Sequence, residues 1–236
     1  MDLAQTAAWL AARPADAPFG YVVTPNAEHL VQLAGDPGLA EVYRAALLRL
    51  LDSRVVARAA AALGLAAPPV VPGSDLVATL LARHLAPGDR LTVIGLQPEY
   101  LPLLRQRCGP VAIAHHLPPV AFEHDPTAFR IALDFALAHP ARFTLLAVGM
   151  PRQELLAAAL RNSGRARGTG LCIGSALEYF IGARRRAPRV LQRASLEWAY
   201  RLCHEPRRLG RRYLLQSPRI FPLLLRERLG AIRPGR

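Results

Sequence analysis

Apolar residues along this chain gather in short runs that stop at polar or glycine-bearing turns, and a stretch of helical spacing follows most of them. The first run, Phe19 to Val23, ends at Thr24-Pro25-Asn26. It reads as a strand closed by a polar turn, with a helix from Ala27. A second run, inside "LLRLLDSRVV", ends at Asp52 and gives way to helical spacing as far as Gly64. After a proline-rich loop, Ser74 or Asp75 is placed to cap a helix that ends before Pro87-Gly88. "RLTVIGL" has the look of a buried strand, "PEYLPLLRQRCG" of a helix closing at Gly109, and "PVAIAHH" of a short strand. "PTAFRIALDFALAHP" is amphipathic with proline at its start, as helices prefer. The clearest unit is "RFTLLAVGMPRQELLAAALRNSG": a strand from Phe143 to Val148, then Gly149, then a helix from near Pro151 to Gly164. "GTGLCIGSALEYF" adds a strand that ends at Gly174.

Strands alternating with helices predict an α/β fold, a mostly parallel, Rossmann-like sheet covered by helices. In such sheets ligands bind beyond the carboxyl ends of the strands. Thr24, Asn26, Asp52, Gly149 and Gly174 all fall at predicted strand ends, so one crevice is expected to gather them. From about Arg184 the pattern turns helical and basic. The expected organisation is therefore an α/β catalytic core over residues 1–183 and a basic amphipathic appendage over residues 184–236.

Charge sharpens that division. The chain has 236 residues, 52% of them hydrophobic, enough for one large domain or a domain with an appendage. All thirty basic residues are arginine, so arginine as a type reflects composition, and only its position is informative. Residues 184–236 hold fifteen arginines against Glu197, Glu205 and Glu227, which is nearly the whole of the formal +13. Such asymmetry points to an anionic partner for the last quarter of the chain. The three cysteines, Cys108, Cys172 and Cys203, are far apart, no CxxC occurs, and His115 and His116 are adjacent. Neither a metal site nor a cofactor is expected from that pattern. The opening residues lack a basic start and a long apolar run, and no stretch approaches the roughly 18–20 apolar residues of a membrane span. A cytoplasmic protein that at most lies on the inner face of the membrane is expected.

Several residues carry two readings. Asn26 is either the N-cap of the next helix or a ligand-facing amide beside the Thr24 hydroxyl. Asp52 is either a cap or a strand-end carboxylate of the kind a general base requires. In "VGMPRQE", Gly149 lets a ligand approach the backbone and the following helix offers free N–H groups. Gln153 and Glu154 either face that ligand or complement the helix dipole. Glu197 and Arg201 have the spacing of a surface ion pair. That leaves Arg207, Arg208, Arg211 and Arg212 in excess of nearby Glu205.

Taken in order, "TPNAEHL", Asp52, "PGSDL", "VGMPRQE", "GARRRAP" and "LEWAYRLCHEPRRLGRRYL" resemble the WecG/TagA/CpsF family of bacterial glycosyltransferases. The resemblance implies a metal-independent inverting enzyme that moves a sugar from a UDP-sugar donor to a polyprenyl-diphosphate-linked glycan; separately, the aliphatic clusters beside Arg219, Arg226 and Arg228 in residues 213–229 predict contact with an anionic membrane surface. The resemblance also implies Asp52 as the base. The family's aspartate usually precedes glycine, whereas Ser53 follows here, and "HHLPPVAFEHD" stands where a Gly-aromatic-Phe motif is usual. Thr24 and Asn26 would position substrates, and Gly149, Gln153 and Glu154 would face the nucleotide or its sugar. Arg201, Arg208 and Arg211 suit the departing diphosphate, because guanidinium pairs bidentately with phosphate. Two rival readings of the sequence remain. The basic tail also fits a nucleic-acid-binding protein, against which stand its interleaved aliphatic residues. A dinucleotide-dependent oxidoreductase would need the glycine fingerprint that the chain lacks.

Overall fold

The computed structural model describes residues 1–230; residues 231–236, the end of the expected appendage, lie outside the described residues. Six strands form one sheet: β1 (Gly20–Val23), β2 (Leu48–Arg49), β3 (Arg90–Gly95), β4 (Ala112–His116), β5 (Phe143–Ala147) and β6 (Thr169–Cys172). Their order is β2-β1-β6-β5-β3-β4, and every pairing is parallel. The α/β, Rossmann-like architecture expected from the alternating pattern is the one observed. In β1 and β6 every residue is buried, as a sheet covered on both faces requires.

One face packs against α1 (Leu3–Ala11), α5 (Gly73–Arg83) and α6 (Leu101–Cys108) through Leu10, Leu76, Leu80, Leu104 and the inward residues of the central strands. The other packs against α3 (Pro37–Arg44), α7 (Pro126–Ala138) and α8 (Arg152–Asn162), where Tyr21, Tyr43, Ala132 and Leu156 lie at the centre. Helix α1 has no counterpart in the apolar-run pattern. It is fixed by a reciprocal capping box, in which the Asp2 side chain accepts from the Gln5 amide while Gln5 accepts from that of Asp2. The helix after Asn26 is two helices, α2 (Ala27–Gly35) and α3, because Asp36 ends one and caps the other just before Pro37.

Two caps differ from the sequence expectation. Neither Ser74 nor Asp75 caps α5; the helix starts at Gly73 after Pro72, with no side-chain cap. Asp75 is thereby left to pair with Arg186. The cap of α4 (Arg54–Ala62) is Ser53, whose Oγ accepts from the Val56 amide at 3.2 Å. Asp52 therefore does not serve as that cap.

Beyond β6, α9 (Ala176–Phe180) leads into a string of short helices: α10 (Arg189–Arg193), α11 (Glu197–His204), α12 (Pro206–Arg211) and α13 (Ile220–Arg228). These pack back over the carboxyl ends of the strands. Ile220 is buried with Leu51 and Val56, with Leu30, Val31, Leu223 and Leu224 around them, in a small core shared by α2, α4 and α13. Arg58 of α4 adds hydrogen bonds to the Ala194 and Arg193 carbonyls, at 3.0 and 2.5 Å. Among the described residues no helix is long and apolar enough to cross a membrane.

Candidate active site

The carboxyl ends of β1, β2 and β6 open into a cavity of about 340 Å³, walled on its outer side by the C-terminal helices. Its floor is built from helix starts: Asn26 and Ala27 of α2, Ser53 and Arg54 of α4, Pro72 and Ser74 at α5. Helix N-termini carry unpaired amides and a partial positive charge, so this floor favours anions.

Asp52 follows β2 and lines this cavity. Its own amide donates to the Pro25 carbonyl at 2.8 Å, and the Gly73 amide donates to its Oδ2 at 3.3 Å. Burial pushes its carboxyl up from the ordinary 3.8 to about 6; the Gly73 hydrogen bond opposes the rise, Glu197 adds to it, and Arg201 and Arg186 oppose it. A carboxylate held near neutrality and open to a pocket is chemically suited to accept a proton from a hydroxyl.

Besides Arg54 of the floor, three arginines line the same cavity: Arg186, Arg201 and Arg212. Arg186 is ion-paired to Asp75 and lies 3.8 Å, through Nη2, from Glu197 Oε2. Arg201 sits over the Tyr179 ring at 5.6 Å. The Nε atoms of Arg186 and Arg201 are buried without a hydrogen-bond partner among the described residues. Arg212 pairs with Glu28 of α2 at 2.6 Å. Val55, Val70, Trp198, Ile220 and Phe221 add apolar lining to the cavity.

The residues singled out from sequence divide into three groups. Asn26, Asp52 and Arg201 meet in the cavity. Asn26 also caps α2, its Oδ1 accepting from the Glu28 and His29 amides at 3.0 and 3.3 Å, as one of its two readings expects. Thr24, Gln153 and Glu154 lie beneath and are buried. The Thr24 hydroxyl donates to the Cys172 carbonyl at 3.4 Å. Gln153 accepts from the Gly174 amide at 2.9 Å and donates to Glu154 at 2.8 Å, and Glu154 also accepts from the Tyr43 hydroxyl at 3.0 Å. These residues hold the turn after β6, which carries cavity residues Ser175 and Ala176. Gly149, Arg208 and Arg211 form the third group, and none of them lines the cavity. Gly149 has φ +77° at the end of β5, a left-handed conformation that favours glycine. Arg208 is exposed and ion-paired to Glu205, and Arg211 is exposed.

Arg186 is the site residue that sequence reasoning left without a role, although "GARRRAP" was part of the resemblance. Its partner Asp75 lies 111 residues away, so no local spacing announces the pair. Glu197 likewise pairs with Arg186, not with the Arg201 that its spacing suggests.

Fold and pocket together define a class: a Rossmann-like α/β protein whose candidate site lies at the carboxyl ends of a parallel sheet and combines the Asp52 and Glu197 carboxylates with several guanidinium groups. Within that class the chain belongs to the glycosyl transferase WecG/TagA/CpsF family, whose model matches residues 1–234. It is thus a glycosyltransferase of a family that serves cell-surface polymer synthesis. Among the described residues no three His, Cys, Asp or Glu side chains gather in a way that could hold a metal ion.

Proposed function

We propose that this protein is an inverting, metal-independent glycosyltransferase that moves a sugar from a UDP-sugar to a glycan on a polyprenyl-diphosphate carrier. The observation that carries this reading is the position of Asp52. Its carboxylate, raised to about 6, faces a cavity lined by Arg186 and Arg201.

In the proposed step Asp52 takes the proton of the acceptor hydroxyl. The freed oxygen attacks the anomeric carbon, forming the new glycosidic bond as the bond to UDP breaks, with inversion at that carbon. Negative charge grows on the departing diphosphate. Guanidinium groups fixed in a partly desolvated site stabilise that charge without reorganising. Arg201 and Arg186, whose charges act on the Asp52 carboxyl, line the cavity with Arg54 and Arg212, while Arg208 and Arg211 stand outside it. Asn26 positions substrate from the α2 start. Thr24, Gln153 and Glu154 act from below by holding the β1 and β6 ends, and Gly149 shapes the neighbouring β5 turn. The apolar lining from Trp198, Ile220 and Phe221 suits the lipid side of the acceptor.

Exposed Leu214, Leu215, Phe221, Leu225 and Leu229 alternate with Arg219, Arg226 and Arg228 along the last helices. That composition fits a segment lying in an anionic membrane interface, where each basic residue contributes about 1 kcal/mol. The protein would then work at the inner face of the plasma membrane, where the carrier's diphosphate is also found. The test is a panel of UDP-sugars offered with polyprenyl-diphosphate-linked mono- and oligosaccharides in the presence of EDTA. Sugar transfer with release of UDP supports the reading. Dependence on an added divalent ion, or transfer only from a non-uridine donor, contradicts it.

A further inference from the structure

The C-terminal segment from Arg184 onward is overwhelmingly basic, yet one of its three acids, Glu197, points into the cavity. It opens α11, one turn ahead of Arg201, and stands 3.8 Å from Arg186. That distance is ion-pair range without a hydrogen bond, whereas Asp75 holds the other side of Arg186 in direct contact. The Nε atoms of Arg186 and Arg201 are buried and, among the described residues, unpartnered. Besides Asp52, the cavity thus contains one loosely held carboxylate beside two guanidinium groups that still have donors to offer.

We propose that Glu197 is a placeholder for the donor's diphosphate: its carboxylate balances Arg186 and Arg201 in the free protein and opposes the incoming phosphates. This rests on the donor reading given above and adds to it a residue that tunes affinity. Two acids with the same two cations as neighbours repel, so entry of the diphosphate requires the Glu197 carboxylate to swing away. Its loose contact and its place at the first residue of a helix make the swing cheap. The device keeps the product UDP from being held too tightly, because the same carboxylate returns as the diphosphate leaves. A purely structural role makes the opposite forecast. If Glu197 mattered only for fastening α11 to Arg186, neutralising it would loosen the cavity wall and weaken UDP binding.

The experiment is isothermal titration of UDP into wild type and Glu197→Gln, with melting temperatures measured alongside. Loss of the opposing charge is expected to tighten UDP binding by roughly tenfold at low ionic strength, less at high salt. Product release should then slow, so kcat falls while KM for the donor falls with it. If Glu197→Gln melts far below wild type, Glu197→Asp replaces it, since one methylene less withdraws the charge and predicts tighter binding too. Unchanged or weaker UDP affinity in a folded variant overturns the inference and leaves the donor reading standing. Wild type that binds no UDP overturns both.

Discussion

The backbone amide of Gly73 donates to Asp52 Oδ2 at 3.3 Å, joining the start of α5 to the carboxylate that follows β2. The bond fixes the carboxylate's direction and favours its charged form against the burial that disfavours it. Space around Gly73 is tight. A Cβ there would stand 2.9 Å from Thr24 Oγ1 and 3.3 Å from its Cγ2. Gly73→Ala should push the α5 start away from Asp52 and lengthen or break this bond. Since a hydrogen bond to a charged group contributes about 1.5–3 kcal/mol, transfer should fall by tenfold or more. The acid limb of its pH profile should also move upward. A variant with wild-type kcat and an unmoved limb would show that Gly73 does not support the base.

Asp52 also makes opposite demands on activity and stability. Its folded value of about 6 lies above the ordinary 3.8. The folded protein therefore takes up a proton that the unfolded chain does not. The stability this contributes is fully present below 3.8 and is lost as pH rises through about 6. Transfer needs the deprotonated form and should decline about tenfold per pH unit below that value. Melting curves of Asp52→Asn and wild type should diverge in the variant's favour as pH rises from about 4 to about 8. The groups facing Asp52, namely the Gly73 amide, Glu197, Arg201 and Arg186, are the same in both proteins. Parallel curves would mean that Asp52 is not held above its ordinary value.

The exposed apolar residues of the last helices give a separable prediction. Leu214 and Leu215 are 61% and 65% exposed, and neither lines the cavity. Changing both to glutamate should abolish flotation with anionic liposomes while UDP affinity stays within a few-fold of wild type. Retained flotation would remove this face from membrane attachment, and loss of UDP binding would mean that the changes disturb the cavity itself.

Much of the fold was legible because β3, β5 and β6 are apolar runs closed by glycine or polar turns, and buried parallel strands must read that way. Strand β2 is only Leu48–Arg49, shorter than its apolar run, because the chain breaks from the sheet before Asp52. The candidate site was legible where a cavity-lining residue follows a strand end, as for Asn26 and Asp52. It was obscured where tertiary packing decides which way a side chain faces. Gln153 and Glu154 sit in the first turn of α8, a position equally compatible with solvent, ligand or core, and the packing of α8 on the sheet turns them inward. Arg208 and Arg211 follow Arg201 closely in sequence, but α11 ends at His204 and α12 restarts at Pro206, so the chain does not carry them along the same face. Arg186 depends on a carboxylate in a distant helix, which only the folded chain brings to it.

The most direct test of the account is sugar transfer by Asp52→Asn, assayed with the best UDP-sugar and acceptor pair. The substitution is nearly isosteric and keeps an oxygen for the Gly73 amide, so UDP binding and folding should persist. A positioned base contributes about 10²–10⁴-fold, and the account predicts a loss of that size in kcat. Turnover within a few-fold of wild type, by a folded variant that binds UDP normally, would contradict it.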